Sequence, residues 1–431
     1  MRPEGTSRVP APEHVDALRP THLSRGALSV AVFGPGKGEA IVVRLPDGSV
    51  GVVDGCREPR PRPPDGRGDP VRELLQQMEK EHGDPAKFRL AFVCLTHPHD
   101  DHYAGLGRLL DAFRERVDEV WTVLHVTPQY REALVTWTEK ERKRRASQGK
   151  GSGPKEMPDI EDVTGLERVL TGFDAAWTQY GSRLVHLSHN QLLYERTIGS
   201  NPLSIKACGP AAGDLAQAVN GLLASLNLGR RRQPQPLRSY DPNLTSGALL
   251  IQWGKSAVLL GGDLLCGSGP NSGWQLAGTI IKGEVQVVNV AHHASKEAHD
   301  EALWSRMKPA LAIVTPFKFA AGNQPPKPAQ ITALAQSSVI AITSPPAWES
   351  ASGNPSRMHP RQSPVRQFDP KNSALDLTPS RDERDIHNAV AVSLDAFGKI
   401  TRFVLAGEAD VYLAPGELAS RPGQLGDPGA P

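Results

Sequence analysis

"LTHPHDDHYAGL", residues 95–106, places three histidines and two aspartates in the six positions from His97 to His102. Pro98 lies among them, so the stretch is neither the interior of a regular helix nor a central strand. It reads as an irregular turn crowded with ligands. Neutral imidazole and carboxylate are the donors preferred by Zn²⁺ and similar ions. The alternation His97-Pro-His99-Asp-Asp101-His102 lets one short loop address two centres. His97 and His99 can serve one ion while Asp101 and His102 face a second.

The residues around this turn show how it is supported. "FRLAFVCLT" (88–96) is a near-continuous apolar run that leads straight into it, as expected of a strand covered on both faces. The same pattern of an apolar strand ending in a ligand recurs three times. "VGVVD" ends in Asp54, "AVLLGGD" in Asp263, and "VVNVAHH" in His292 and His293. If these four strands share a sheet and a direction, their terminal groups converge on one edge, where open α/β layers place their sites. Asp263 then lies between the two cations. Two ions about 3.5–4 Å apart can polarise a phosphoryl or carbonyl oxygen and lower the pKa of a bridging water.

The 431 residues, with a formal net charge of +2, are too balanced to argue for a nucleic-acid binder on composition alone. The four cysteines form no C-x-x-C pair, which disfavours a cysteine-built zinc site and suits a reduced, intracellular chain. The N-terminus has no apolar core of a secretory signal, and no stretch approaches the ~18–20 apolar residues of a membrane span. A cytoplasmic protein without membrane partners is expected.

Residues 1–26 read as a frayed N-terminal arm. Residues 27–55 read as three strands, the last two joined by the Pro-Asp-Gly turn at 46–48. Asp69 and Pro70 suit an N-cap and first helical position. The following helix puts Val71, Leu74, Leu75 and Met78 on one face. Residues 27–345 form the main domain, with a basic, then Gly/Ser-rich insertion at 139–158. Residues 346–413 read as a Pro/Ser/charged loop, spanning 350–386, and a closing hairpin packed on that domain. Residues 414–431 read as a disordered tail.

The motif resembles the H-x-H-x-D-H signature of the metallo-β-lactamase superfamily. That resemblance spans roughly residues 27–345 and implies an α/β, four-layer αββα sandwich with a dinuclear site at one edge. More narrowly, the chain resembles the metallo-hydrolase domain of the ComEC competence DNA-uptake channel and its soluble stand-alone relatives. "FGPGKGEAIVVRLPDGSVGVVDGC" is similar to that group's opening Gly-x-Gly-Asp hairpin, with Glu39 at the acidic position. "NLTSGALLIQWGKSAVLLGGDLL" is similar to its Asn-x-x-Ser hairpin, and "VNVAHHASKEA" to its His-His-Gly-Ser segment, with Ala294 in place of glycine.

The resemblance implies His97, His99, Asp101, His102, Asp263 and His292 as ligands of two divalent ions, Zn²⁺ first and Mn²⁺ second. Asp54 would support the loop through hydrogen bonds. The third histidine of the first site has no match; Cys208 stands where it is expected, with His186 and His189 upstream. Asp101, Asp263 and His293 are the candidate catalytic groups, the attack coming from a metal-bound hydroxide and His293 donating to the transition state. Asp100 is either a general acid/base or a solvated turn residue. Asn243, Ser246 and the arginines Arg230, Arg231 and Arg232 are the candidate substrate contacts.

The expected reaction is hydrolysis of a phosphodiester, in nucleic acid or a nucleotide. One alternative is a lactone, thioester or β-lactam on the same platform. Another is a non-catalytic binding or scaffold protein with a degenerate site. "GPGKGEA" is not a phosphate-binding loop, because it lacks the G-x-x-x-x-G-K-[ST] spacing.

Overall fold

The computed structural model describes residues 9–35, 38–56, 69–124, 161–227, 242–267, 269–317, 324–346, 365–367 and 387–413, with positions 132 and 136. The insertion at 139–158, most of 350–386, the tail at 414–431, and Arg230, Arg231 and Arg232 lie outside the described residues.

Among the described residues, eighteen strands form two nine-stranded sheets. In chain order they are β1 (Glu13–Val15), β2 (Leu28–Phe33), β3 (Ala40–Arg44), β4 (Val50–Val53), β5 (Leu90–Leu95), β6 (Val117–Thr122), β7 (Arg183–His186), β8 (Gln191–Ile198), β9 (Asn201–Gly209), β10 (Ala248–Trp253), β11 (Ser256–Leu260), β12 (Val287–Asn289), β13 (Leu311–Val314), β14 (Val339–Ile342), β15 (Val365–Gln367), β16 (Ala389–Leu394), β17 (Ile400–Ala406) and β18 (Asp410–Leu413). The first sheet runs β1-β17-β16-β2-β3-β4-β5-β6-β7 and the second β15-β18-β14-β13-β12-β11-β10-β9-β8. The described helices are α1 (Pro70–His82), α2 (Asp100–Tyr103), α3 (Leu106–Phe113), α4 (Glu161–Thr178), α5 (Ala212–Asn227), α6 (Gly273–Ala277), α7 (Glu301–Met307) and α8 (Pro328–Ala335).

Period-2 alternation builds the layers. On β10, Leu249 and Ile251 join the large core shared by the two sheets, whereas Ala248 and Leu250 join a second core with Trp274, Leu303 and Ile331 from α6, α7 and α8. β13 divides the same way, Leu311 and Ile313 against Ala312 and Val314. Leu74 of α1, Leu109 of α3 and Phe173 of α4 pack on the first sheet. The order is therefore helix, sheet, sheet, helix, a mixed α/β sandwich as expected. α1 begins where expected: Asp69 accepts from Arg72 N–H at 3.0 Å, Pro70 follows, and left-handed Gly83 ends it.

Four expectations change. The ligand-bearing strands do not share one sheet: β4 and β5 are parallel neighbours in the first, β11 and β12 in the second, and their C-terminal ends meet across the sandwich edge. Residues 9–26 are not a frayed arm, because β1 pairs in parallel with β17 and Leu18 and Leu23 are buried. A three-residue strand carries no period to read. The closing hairpin is not packed onto a finished domain. β16 inserts between β17 and β2, and β18 pairs with β14, so the C-terminal residues complete both sheets. Finally, β7 and β8 were missed: β8 is an edge strand whose residues are mostly exposed, which leaves neither an apolar run nor clean alternation.

Candidate metal centre

The histidine loop is held by its neighbours on every side. After β5, Thr96 donates from its N–H and from Oγ1 to the two oxygens of Asp54, at 2.8 and 2.7 Å. Asp54 adopts a left-handed φ of 59°, a conformation that aspartate tolerates better than most residues. Its N–H donates to Cys94 O at 2.8 Å, and the following Gly55 N–H donates to His102 O. The single turn α2 then carries Asp101 and His102 back toward the sheet edge.

Hydrogen bonds fix which imidazole nitrogens are free to bind. His102 Nδ1 lies 2.8 Å from Asp54 Oδ2, a carboxylate oxygen that only accepts, so Nδ1 carries the proton. The lone pair of Nε2 then points toward Asp263 Oδ1 at 3.2 Å and Asp101 Oδ2 at 3.9 Å. His293 Nδ1 donates to Thr315 O at 2.8 Å, leaving Nε2 3.0 Å from Asp101 Oδ2. His97 Nδ1 lies 3.1 Å from Thr96 Oγ1, whose proton goes to Asp54. Its Nε2 faces His99 Nδ1 at 3.0 Å and Asp263 Oδ2 at 3.5 Å.

Lone pairs thus face lone pairs in a buried space. His102 Nε2 and Asp263 Oδ1 are fully buried and make no hydrogen bond. Such an arrangement is costly unless a cation occupies it. Besides the group Glu39, Asp54 and His102, in which Asp54 already holds His102 Nδ1, two donor sets result: Asp101, His102, Asp263 and His293, and His97, His99 and Asp263, each with its donor atoms within 4.8 Å of one another. Asp263 belongs to both. The residues fit two divalent ions, one with four protein donors and one with three.

Without a cation, protons compensate instead. Burial opposes charge on His102, yet Asp263, Asp101 and Asp54 hold its pKa well above the ordinary value. Burial would raise the carboxylates too, but His102 overrides it with His293 at Asp101 and with His97 at Asp263, and both stay below the usual range. His97 goes the other way: burial, then the charge of His102, lowers it to about 3.

The two adjacent histidines exchange their expected places. His293, 3 % exposed, stands in the four-donor set. His292 is turned away: its Nδ1 meets Ser295 Oγ at 2.9 Å, its Nε2 meets Asn243 Nδ2 at 3.3 Å, and it stays 3.9 Å from Asp263. His292, His293 and Ala294 have consecutive positive φ values of 48°, 54° and 59°, which reverse the two rings relative to a strand continuation. This conformation costs roughly 1–2 kcal/mol per residue. It is braced by His292 N–H donating to Gly262 O and Ser295 N–H donating to His292 O.

Ser246 is also reassigned. It is fully buried, accepts from Asp263 N–H at 2.8 Å and lies 3.4 Å from His97 Nδ1. It braces the Asp263 backbone beside His97 from inside the fold. Asn243, also buried, lies beside His292, its Nδ2 3.3 Å from His292 Nε2. His189 bonds Cys208 O at 2.9 Å and Thr279 Oγ1 at 3.2 Å, and neither it, His186 nor Cys208 joins a donor set among the described residues. Asp100 begins α2 with its carbonyl accepting from Ala104 N–H. Thr96, Asn289, Ser295 and Thr315 escaped the sequence reading. Thr315 had a usable signal, since "LAIVT" ends a fifth buried strand at the same edge, parallel to β12.

Residues 73–180, which include the histidine loop, match the family described as the metallo-beta-lactamase superfamily. That match covers about a quarter of the chain, and the two-sheet α/β fold described above is consistent with it. No curated protein matches it. Among solved structures it is similar to a mutant of CmlA beta-hydroxylase, with 16 % identity over 68 % of this chain and 46 % of that one and a TM-score of 0.32. It is also similar to the metallo-beta-lactamase fold protein YhfI from Bacillus subtilis, with 10 % identity over 67 % of this chain and 86 % of that one, TM-score 0.30. The third is human tRNase Z, short form, with 11 % identity over 67 % and 92 %, TM-score 0.31. The chain spans less than half the length of the first of these.

Proposed function

We propose that this chain is a metal-dependent hydrolase that uses a dinuclear centre to cleave a phosphodiester in nucleic acid or a nucleotide. The observation that carries the reading is the pair of buried donor sets joined through Asp263. Two divalent ions, Zn²⁺ or Mn²⁺, would supply Lewis acidity and a more acidic water there. The protein's own part is positional. Asp54 and Thr315 fix the tautomers of His102 and His293. Ser246 sets the direction of Asp263. His292, with 26 % of its side chain exposed and its Nε2 held by the buried Asn243, presents a polar group at the mouth of the site, where the substrate is oriented.

The choice of a phosphodiester rests on two sequence features. Arg230, Arg231 and Arg232 stand shortly before Asn243, and such residues neutralise phosphate. The Gly-x-Gly-Glu, Asn-x-x-Ser and His-His segments support the closer kinship with ComEC-type domains. Cleavage assays with Mn²⁺ or Zn²⁺ on single- and double-stranded nucleic acid and a chromogenic phosphodiester test it, wild type against Asp101→Ala. Metal-dependent turnover lost in the variant supports the reading. Turnover only on a parallel ester, thioester or β-lactam panel replaces the substrate class.

A further inference from the structure

Glu39 stands outside the two donor sets that share Asp263; the group it forms with Asp54 and His102 has the latter two already bonded to each other. Glu39 is 2 % exposed, in the loop that leads into β3. Its Oε2 accepts from Thr315 Oγ1 at 2.7 Å and from Asn289 Nδ2 at 3.0 Å. Thr315 in turn holds His293, through its carbonyl at 2.8 Å and its Oγ1 at 3.2 Å from Nδ1. Because the Thr315 proton is committed to Glu39, Oγ1 offers a lone pair to the imidazole. The same loop grips Asp101: Glu39 N–H donates to Asp101 O at 3.0 Å. Gly38, at φ +105°, sits so close that a Cβ there would lie 2.2 Å from that oxygen. Two donors of one cation set, Asp101 beside the same sheet and His293 from the opposite one, are thus tied to a single residue.

We propose that Glu39 is a positioning residue for the four-donor cation set, acting on His293 through the Thr315 hydroxyl and on Asp101 through its backbone. This rests on the metal-centre reading above, but it has a readout that does not. A buried carboxylate is expensive unless it is well used, and here it orients one proton chain, from His293 through Thr315 to its own oxygen.

The test compares Glu39→Gln, Thr315→Val and Thr315→Ser. Valine keeps the shape of threonine and leaves the carbonyl in place, while serine keeps the hydroxyl. Zn²⁺ competition titrations and exchange of the His293 Nδ1 proton, read by imidazole NMR on the cation-free protein, are the two measurements. Glu39→Gln and Thr315→Val should weaken one of two Zn²⁺ equivalents on the order of tenfold or more, as loss of such outer partners does, and should speed Nδ1 proton exchange. Thr315→Ser should restore both. Wild-type behaviour of Glu39→Gln and Thr315→Val in both measurements overturns the proposal. So does an equal loss of both ions that Thr315→Ser fails to rescue. If the wild type binds no Zn²⁺, the metal-centre reading fails, and the proton exchange still decides the role of Glu39.

Discussion

His293 Nε2 lies 3.0 Å from Asp101 Oδ2, although 192 residues separate them and they belong to opposite sheets. That contact closes the four-donor set, while the neighbouring His292 points to Asn243. The two histidines should therefore fail differently. His293→Ala is expected to lose one bound cation and most activity. His292→Ala is expected to keep both cations and to lose turnover or substrate affinity. Metal analysis beside kinetics checks this; cation loss in His292→Ala and not in His293→Ala contradicts it.

Asp54 accepts three hydrogen bonds, two from Thr96 and one from His102. In Asp54→Asn an amide N–H must replace one accepting oxygen, leaving a buried donor unmatched. The expected cost is about 1–3 kcal/mol. Denaturant unfolding of the cation-free protein measures it, and weaker cation binding should accompany it because His102 loses its fixed tautomer.

Ser246 and Asn243 occupy the same hairpin entry with opposite duties. Ser246→Ala removes the acceptor for Asp263 N–H and is expected to cost roughly 1 kcal/mol of stability, again by unsatisfied burial. Asn243→Ala removes the group that holds His292 Nε2 and is expected to raise KM. A Ser246→Ala enzyme of normal stability with a raised KM contradicts the assignment.

The histidines of the cation-free site should titrate in opposite directions. His97 is lowered by burial and by His102 to about 3. As pH falls from its unfolded value near 6.5 toward 3, the unfolded chain takes up a proton that the folded one refuses, so His97 subtracts from stability across that window. His102 is raised, burial being overcome by Asp263, Asp101 and Asp54. Its contribution is fully present below about 6.5 and is lost as pH rises through its folded pKa. Imidazole NMR should find His97 neutral at about pH 5 and His102 still charged well above its unperturbed pKa. The reverse order contradicts the geometry.

Much of this was legible in the sequence, for definite reasons. The histidine loop announces itself because so many ligands share six positions, and β5 because both its faces are buried. Asp54 and Asp263 are legible as candidates because each follows an apolar strand. The choice between His292 and His293 was not legible, because it depends on consecutive left-handed residues that a strand pattern does not foretell. Ser246 misled because a hydroxyl near a site reads as substrate-facing until its burial is known. β8 was lost to its exposed edge, and the insertion of β16 beside β2 pairs residues more than 350 positions apart, beyond any local signal.

The central claim is a two-cation centre that shares Asp263. Elemental analysis of the purified protein, wild type and Asp263→Ala, tests it most directly. The account predicts two divalent ions per wild-type chain after Zn²⁺ loading, since both donor sets are complete enough to bind. It also predicts a fall to one or none in Asp263→Ala. A wild-type content well below one ion per chain, or a variant that keeps both, would contradict it.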